Sequence, residues 1–374
     1  MRQKRGNIMA RKIRTAIIGC GGIANNKHIP AIFTVPDVEV VALCDIKQSQ
    51  IDATKARYPQ FKDCAEYLDY KDLLKDDSIE CIHCCTPNRA HSFITIDSLR
   101  AGKNVICEKP MAKTYAEAVE MCKAAKETGK VLTIGYQNRN TSEMLYAHKR
   151  IEQGEIGEIY YATAHAVRRR AVPNWGVFLN EYEQGGGPLI DIGTHALDLT
   201  LWHMNNYRPV MVVGQTFKKL CREGKDFGNI WGDFKPEEFT VEDSAFGFIK
   251  MENGAVINLE SSWALNTLDV IEAKCTLCGT EGGIDFRDGV RINKVVAGAQ
   301  TCEKPDLNAG GVAFYEGNSG GTPESIEANR FYGAVRGEDT VMVKPEEACT
   351  VTRILEGIYE SAKTGKPVYF TYDD

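Results

Sequence analysis

The sequence lacks the marks of several large protein classes. No apolar run approaches the roughly 18 residues that a membrane-spanning helix requires, so we expect no membrane segment. Positive charge is not in excess either, because 45 lysines and arginines face 51 aspartates and glutamates, and the net charge of -6 argues against a nucleic-acid partner. There is no internal repeat and no low-complexity tail. What remains is a globular chain of 374 residues, long enough for two domains.

Thirteen cysteines stand out against this ordinary composition. Their number is odd, and the N-terminus lacks the long apolar stretch and cleavage site of a secretory signal. We therefore expect reduced thiols and a cytoplasmic location. Cys275 and Cys278 form a single C-x-x-C pair, and no second pair follows at the spacing of a structural zinc site. The sequence predicts no metal.

The apolar pattern changes near residue 140. Before it, short apolar runs alternate with helical patterns, which predicts a doubly wound parallel sheet with helices on both faces. After it, longer strands alternate apolar and polar residues, which predicts an antiparallel sheet with one covered face. We therefore expect an α/β protein with one domain over residues 1–140 and an α+β domain over residues 141–374.

A glycine-rich turn follows the first predicted strand. Its residues, Gly19-Cys20-Gly21-Gly22-Ile23-Ala24, match G-x-G-x-x-A and precede a helical pattern. Gly19 permits the tight turn, Gly21 lets the backbone approach a pyrophosphate, and the helix N-terminus attracts the anion. The motif predicts a dinucleotide site, and the alternative is an ordinary turn between a strand and a helix.

Asp45 closes the second predicted strand. A carboxylate at this place accepts hydrogen bonds from the ribose hydroxyls of NAD and repels the 2′-phosphate of NADP. We therefore expect NAD rather than NADP, although the cation of Lys47 weakens this preference. The alternative role for Asp45 is to cap the next helix.

Further motifs follow in a defined order. They are His28, Thr86-Pro87-Asn88 with His91, Glu108-Lys109-Pro110, and Asp191-Ile192-Gly193-Thr194-His195. This set resembles the Gfo/Idh/MocA family of sugar and cyclitol dehydrogenases from Ile13 to the C-terminal strand. The resemblance implies a Rossmann domain, then a domain with an open, mostly antiparallel sheet that makes a homo-oligomer.

The resemblance also implies the site. It places Lys109, Asp191 and His195 at the nicotinamide as catalytic residues. The cofactor contacts expected from the motifs are Gly19, Gly21, Gly22, Ile23, Asp45, Thr86, Pro87, Asn88, His91, Glu108, Lys109 and Gln137.

The three catalytic candidates suit alcohol oxidation. His195 is the natural base, because imidazole titrates near the working pH. Asp191 lies four residues earlier, so a helix places both on one face, where the carboxylate orients the imidazole or binds a sugar hydroxyl. Lys109 stabilises the developing alkoxide. Taken singly, each has an ordinary alternative: a solvated lysine, a core histidine and a helix-capping aspartate.

Substrate contacts are expected where strands end. The sixth predicted strand ends at Tyr136-Gln137-Asn138-Arg139, on the side of a doubly wound sheet that faces its ligand. Arg168-Arg169-Arg170 follows a later strand, and alternation points the first and third of these to one face. The predicted substrate-binding residues are Tyr136, Asn138, Arg168, Trp175, Asp191 and His195. The alternative for the arginines is a solvated or subunit-contact stripe.

These expectations converge on an NAD-dependent oxidoreductase that oxidises a secondary alcohol of a sugar or glycoside. The segments RRRAVPNWG and GGGPLIDIGTHALDL look most like family members that oxidise hexosides at the 3-hydroxyl, among them C-glycoside 3-oxidoreductases. Three alternatives stay open: an inositol or sugar-acid dehydrogenase, a glycoside hydrolase or lyase that oxidises its substrate transiently, and a non-catalytic nucleotide sensor.

Overall fold

Six parallel strands form the first sheet of the computed structural model, which describes residues 11–221, 227–307 and 321–372. The strands are β1 (Ile13–Ile18), β2 (Val38–Cys44), β3 (Ala65–Tyr67), β4 (Cys81–Cys84), β5 (Asn104–Glu108) and β6 (Leu132–Gly135). They lie in the order β3-β2-β1-β4-β5-β6. Because the order reverses beside β1, the ends of β1 and β4 flank the crevice where a doubly wound sheet binds its ligand.

Helices connect these parallel strands. They are α1 (Ile29–Ile32), α2 (Gln48–Arg57), α3 (Tyr70–Leu73), α4 (Asn88–Arg100) and α5 (Tyr115–Thr128), and a π-helical turn (Ala24–His28) runs into α1. The start of α5 shows how sequence sets such a boundary. The Thr114 side chain accepts from the backbone of Glu117, and the Glu117 carboxylate accepts from the backbone of Thr114.

The second sheet has nine strands and one open face. After α6 (Ser142–Glu152) come β7 (Ile159–Val167), α7 (Glu181–Gln184), α8 (Thr194–Met204), β8 (Pro209–Phe217), β9 (Ser244–Met251), β10 (Val256–Ser262), β11 (Ile271–Gly279), β12 (Gly283–Asp285), β13 (Arg291–Val296), β14 (Ala299–Glu303), α9 (Pro323–Arg336), α10 (Pro345–Thr364) and β15 (Val368–Tyr369). The sheet order is β14-β13-β12-β11-β7-β10-β9-β8-β15. Strands β7 and β10 pair in parallel, and the other pairs that the structure describes are antiparallel.

Buried charge joins the two sheets. Arg139, which follows β6, is fully buried and donates to both carboxylate oxygens of Asp198 in α8, at 2.9 and 2.6 Å. It also donates to the carboxylate of Glu347 in α10, at 2.6 Å. Because a buried guanidinium needs such partners, this cluster fixes α8 and α10 against the end of β6.

The predicted fold class is confirmed. A Rossmann-type parallel sheet comes first, and an open, mostly antiparallel sheet with helices on one face follows. The division at residue 140 stays a prediction, and residues 1–10, 222–226, 308–320 and 373–374 of the two predicted domains lie outside the described residues. Over the described part of the chain, no helix has both the length and the apolar character to cross a membrane.

Candidate active site

The turn after β1 has the shape that a pyrophosphate needs. Gly19 has φ +94°, and a Cβ on it would lie 2.7 Å from the backbone carbon and oxygen of Cys85, so only glycine fits there. Gly21 is different, because a Cβ on it would meet no atom within 4 Å. The backbone at Gly21 therefore borders open space at the entrance of a helix, which fits the pyrophosphate of a dinucleotide.

Asp45 lies directly beside this turn. Its Oδ2 accepts from the backbone N–H of Cys20 at 2.9 Å, and its Oδ1 accepts from that of Lys47 at 2.9 Å. The helix-cap alternative for Asp45 is wrong, because α2 begins at Gln48 and Lys47 is the capping position. The carboxylate is thus held next to the glycine turn, where the ribose of NAD would lie.

Thr86, Pro87 and Asn88 border the same crevice at the end of β4. All three keep some exposure, and Asn88 opens α4 while its amide donates to the carbonyl of Gln184 at 3.0 Å. Their cofactor contacts stay a prediction.

The structure does not place His91 in the open crevice, so the cofactor contact predicted for it gains no support. The side chain is 1% exposed, and its ring nitrogens lie 2.7 Å from the carbonyl oxygen of Pro110 and 2.8 Å from that of Thr86. Both polar atoms are therefore already used. Through these two hydrogen bonds, His91 connects the turn after β4 to the turn after β5 and holds both turns in place.

Glu108 begins a buried chain of polar side chains. Its Oε1 lies 2.9 Å from His28 Nε2 and accepts from the Gln137 amide at 3.0 Å. His28 Nδ1 then lies 2.8 Å from His83 Nδ1, and His83 Nε2 lies 2.8 Å from the Tyr332 hydroxyl of α9. Burial works to raise the pKa of Glu108, but the hydrogen bond and charge of His28 outweigh it and hold the pKa at about 2. Cofactor contacts of Glu108 and Gln137 stay predictions.

Lys109 and Asp191 meet between the two sheets. The Lys109 ammonium donates to Asp191 Oδ1 at 3.1 Å and to the Asp191 backbone oxygen at 2.9 Å. The indole N–H of Trp263, a fully buried residue just after β10, donates to Asp191 Oδ2 at 3.0 Å. Burial works to raise the pKa of Asp191, but the charges of Lys109 and Arg168 outweigh it and lower the pKa. The carboxylate is therefore ionised and held at both oxygens.

The backbone before Asp191 is clamped by Glu242. The π-helical turn Leu189–Gly193 leads into α8. The buried Glu242 carboxylate accepts from the N–H groups of Gly187 at 2.8 Å and Leu189 at 3.1 Å, and from the Tyr359 hydroxyl at 2.9 Å. Burial raises the pKa of Glu242 to about 7 despite these donors. A buried carboxyl group thus sets where the turn that carries Asp191 begins.

His195 lies in the first turn of α8 and is partly exposed. Its Nδ1 is buried with no hydrogen-bond partner, so Asp191 does not orient the ring through that nitrogen. The expectation that His195 titrates near neutral pH is wrong. Burial and the charge of Lys109 lower its pKa from 6.5 to about 3, so the imidazole is neutral at any working pH.

Two side chains at the end of β6 do not reach the crevice. Tyr136 is 1% exposed, its hydroxyl lies 2.7 Å from Thr194 Oγ1, and its ring packs edge-on against His195. The structure therefore places Tyr136 against Thr194 and His195, and the substrate contact predicted for Tyr136 gains no support. Arg139 is not available to bind a polyol, because its buried guanidinium is already paired with the carboxylates of Asp198 and Glu347. Asn138 keeps some exposure, and its substrate contact stays a prediction.

Arg168 lies just beyond β7 and reaches the catalytic candidates. Its guanidinium is 4.0 Å from Asp191 Oδ2 and donates from Nε to Glu272 at 2.7 Å. It also lies over the ring of Trp231, 5.2 Å from the centroid. Trp175 packs edge-to-face against Trp231, with its ring centroid 4.9 Å from that of Trp231.

Sequence reasoning missed four residues that shape the site, namely Trp231, Glu242, Trp263 and Glu272. Each one touches a predicted residue, or its backbone turn, from a distant part of the chain. None belongs to a recognisable motif, and the sequence pattern does not show which distant loops and strands fold against the site. The structure brings Lys109, Asp191, His195 and Arg168 together, and their catalytic and substrate-binding roles stay predictions.

Comparisons with known proteins match both parts of the chain. Residues 13–136 match the Gfo/Idh/MocA oxidoreductase family with its NAD-binding Rossmann fold, and residues 148–370 match the C-terminal alpha/beta domain of that family. The chain is 33% identical to the D-glucoside 3-dehydrogenase of Escherichia coli (strain K12) over 95% of this chain and 97% of that protein. It is 28% identical to the levoglucosan dehydrogenase of Pseudarthrobacter phenanthrenivorans over 79% of this chain and 80% of that protein.

Solved structures share the fold at lower identity. Levoglucosan dehydrogenase in complex with NADH and levoglucosan superposes with a TM-score of 0.80 at 22% identity, covering 96% of this chain and 99% of that one. The aldose-aldose oxidoreductase from Caulobacter crescentus gives a TM-score of 0.75 at 22% identity, covering 96% and 100%. The two-sheet architecture is therefore shared along almost the whole chain.

Proposed function

Since the chain belongs to the Gfo/Idh/MocA family of NAD-binding oxidoreductases, we propose that it oxidises a secondary alcohol of a sugar or glycoside, the 3-hydroxyl of a hexoside. The observation that carries this proposal is the contact of Lys109 with Asp191 one turn before His195, at the strand ends that also bear the glycine turn. The similarity to D-glucoside 3-dehydrogenase over nearly the full length supports the choice of hydroxyl.

His195, Lys109 and Asp191 each have a separate role in the proposed alcohol oxidation. Bound NAD supplies the hydride acceptor. The neutral imidazole of His195 accepts the hydroxyl proton, and the Lys109 ammonium stabilises the negative charge that develops on the oxygen. Asp191, ionised and fixed by Trp263, aligns the ammonium. The products are a keto-sugar, NADH and one proton, so the charges balance.

The electrostatics of Arg168 favour a neutral sugar over a sugar acid. Its guanidinium already faces the carboxylates of Glu272 and Asp191. A substrate carboxylate would have to compete with both, whereas sugar hydroxyls add hydrogen bonds without adding charge. We therefore rank a hexoside above a sugar acid as the substrate.

The open face of the second sheet supports a homo-oligomer. Val213 and Phe248 pair across β8 and β9, and both are more than one third exposed. Phe217 is similarly exposed and packs against Phe246. An apolar stripe repeated on each copy suits a two-fold interface, and we infer that the subunits associate through it.

The described cysteines support a reducing environment. All thirteen are free, and Cys20, Cys44, Cys81, Cys84, Cys85 and Cys107 are buried on or beside the strands of the first sheet. We infer a cytoplasmic location from this content of buried thiols.

The decisive experiment incubates the purified protein with NAD and a panel of hexosides, inositols and sugar acids. We expect NADH together with a 3-keto product from hexosides. A keto group elsewhere, or turnover of inositols or sugar acids alone, would reassign the substrate. Release of a free aglycone without net NADH would indicate a hydrolase or lyase. NAD binding without turnover of any polyol would indicate a sensor.

A further inference from the structure

Two loops beside the candidate catalytic residues form a single hydrogen-bonded unit. Residues 168–180 follow β7, and residues 227–236 precede β9. The backbone N–H of Val172 donates to Asn229 Oδ1 at 2.8 Å, and the amide of Asn229 donates back to the Val172 carbonyl at 2.9 Å. Asn174 donates to the carbonyl of Trp231 at 2.6 Å and to that of Asp233 at 3.1 Å. These bonds hold the two loops in one fixed arrangement.

The loop pair presents two indole rings to solvent. Trp175 is 50% exposed and Trp231 is 40% exposed, and their planes are 79° apart. Phe178 packs edge-on beneath Trp175. Two perpendicular aromatic faces make a corner in which a flat ring can stack on one indole and meet the other edge-on. Large aromatic side chains held rigidly in solvent are typical of a binding surface.

This corner is continuous with the candidate catalytic site through Arg168. The guanidinium lies over one face of Trp231 and 4.0 Å from Asp191 Oδ2. Its bonds to Glu272 and to the Ala171 carbonyl keep it in place. One fixed side chain therefore separates the residues proposed to act on the hydroxyl from the aromatic corner.

We propose that Trp175 and Trp231 form a subsite for the group joined to the sugar that is oxidised, and that this group is a ring with an apolar face. An aromatic aglycone and a second pyranose ring both have this chemistry. The inference rests on the proposed function, because it needs a sugar held at Lys109, Asp191 and His195. The polar neighbours of the indoles, including Asn174 and Asp233, suit a wet rim around such a ring.

The test compares Trp231→Ala and Trp175→Ala with the wild type on four substrates. They are phenyl β-glucoside, cellobiose, methyl β-glucoside and glucose. We expect each variant to raise KM for phenyl β-glucoside or cellobiose at least about tenfold, and to change KM for methyl β-glucoside and glucose less than about twofold, with kcat preserved. The ring-bearing substrate that responds identifies the source of the ring. Phe93→Ala, which removes an exposed aromatic residue from α4, is the control.

Several outcomes would overturn the subsite. An equal rise in KM for all four substrates places the indoles at the oxidised sugar itself, and an unchanged KM shows that they bind nothing. A lower oligomer mass of either variant in light scattering assigns the corner to a subunit interface. Calorimetry of phenyl β-glucoside on the NADH-loaded protein separates this proposal from the proposed function. Binding that is lost in Trp231→Ala supports the subsite even when no keto-sugar forms, and no binding to the wild type contradicts it.

Discussion

At the scale of single residues, the ion pair of Lys109 and Asp191 has a clear functional test. Lys109→Ala and His195→Ala should each keep NAD binding and lower kcat at least about a hundredfold, because each removes a group that acts on the reacting oxygen. NAD binding is measured by calorimetry and kcat by NADH absorbance. Lys123→Ala, which removes an exposed lysine of α5, is the matched control. Loss of NAD affinity in His195→Ala would contradict its assigned role.

The low pKa of His195 leads to a prediction about the pH dependence of the reaction rate. A base must be unprotonated, and the folded pKa of about 3 keeps the imidazole neutral far below its ordinary value of 6.5. In Glu242→Gln, which removes the carboxyl group whose pKa is about 7, the acid limb of kcat/KM should therefore be flat from about pH 7 down to about pH 5, instead of falling near pH 6.5. Initial rates in matched ionic strength measure this, and a half-maximal rate near the ordinary imidazole value in that variant would show that His195 titrates freely.

Trp263 is expected to act by positioning Asp191. Trp263→Phe keeps an aromatic ring but removes the donor to Oδ2, and a hydrogen bond to a charged group is worth about 1.5–3 kcal/mol. We expect kcat to fall about tenfold with little change in KM for the sugar, and the pKa of Asp191 to rise. Trp202→Phe, a buried tryptophan of α8 stacked on His148, controls for lost volume. An equal fall of kcat in both variants would indicate a packing effect alone.

At the scale of elements, the turn after β1 separates two roles of glycine. Gly19→Ala forces a Cβ into the backbone of Cys85, so the melting temperature should fall by several degrees. Gly21→Ala places its Cβ in open space, so the melting temperature should hold while the Kd for NAD rises at least about tenfold. Thermal melts and calorimetry measure the two effects. Unchanged NAD affinity in Gly21→Ala would place the pyrophosphate elsewhere.

Elements were predictable from the sequence where their cause is local. The glycine turn, the buried parallel strands and the long amphipathic α10 each follow from neighbouring residues, so pattern was sufficient. The role of Trp263 was not, because it meets Asp191 across 72 residues through the pairing of distant strands. Burial was the other missing quantity. Burial places Tyr136 and His91 behind the residues that border the crevice, and it lowers the pKa of His195 to about 3.

At the scale of the whole molecule, the Arg139 cluster predicts how the two sheets depend on each other. Arg139→Met leaves Asp198 buried without its partner, which should cost about 3–5 kcal/mol and lower the melting temperature by several degrees. The triple variant Arg139→Met, Asp198→Leu and Glu347→Gln removes all three charges of the cluster and should recover much of the loss. Lys123→Ala, which breaks an exposed ion pair with Glu120, should leave the melting temperature unchanged. No loss in the single variant would show that the cluster does not hold α8.

The hydrogen-bonded loop pair is separate from the glycine turn. This separation affects how the substrate specificity of such a protein can evolve. The residues proposed to bind NAD lie at the strand ends of the first sheet. Trp175 and Trp231 lie on two loops that extend from the second sheet. We therefore expect mutations in residues 172–180 and 227–236 to change which substrate is accepted without disturbing the proposed redox chemistry, whereas Arg168 contacts Asp191 and should be left unchanged. Selection for a new carbon source would act mainly on these two short segments, and a library that randomises them is a natural starting point for directed evolution.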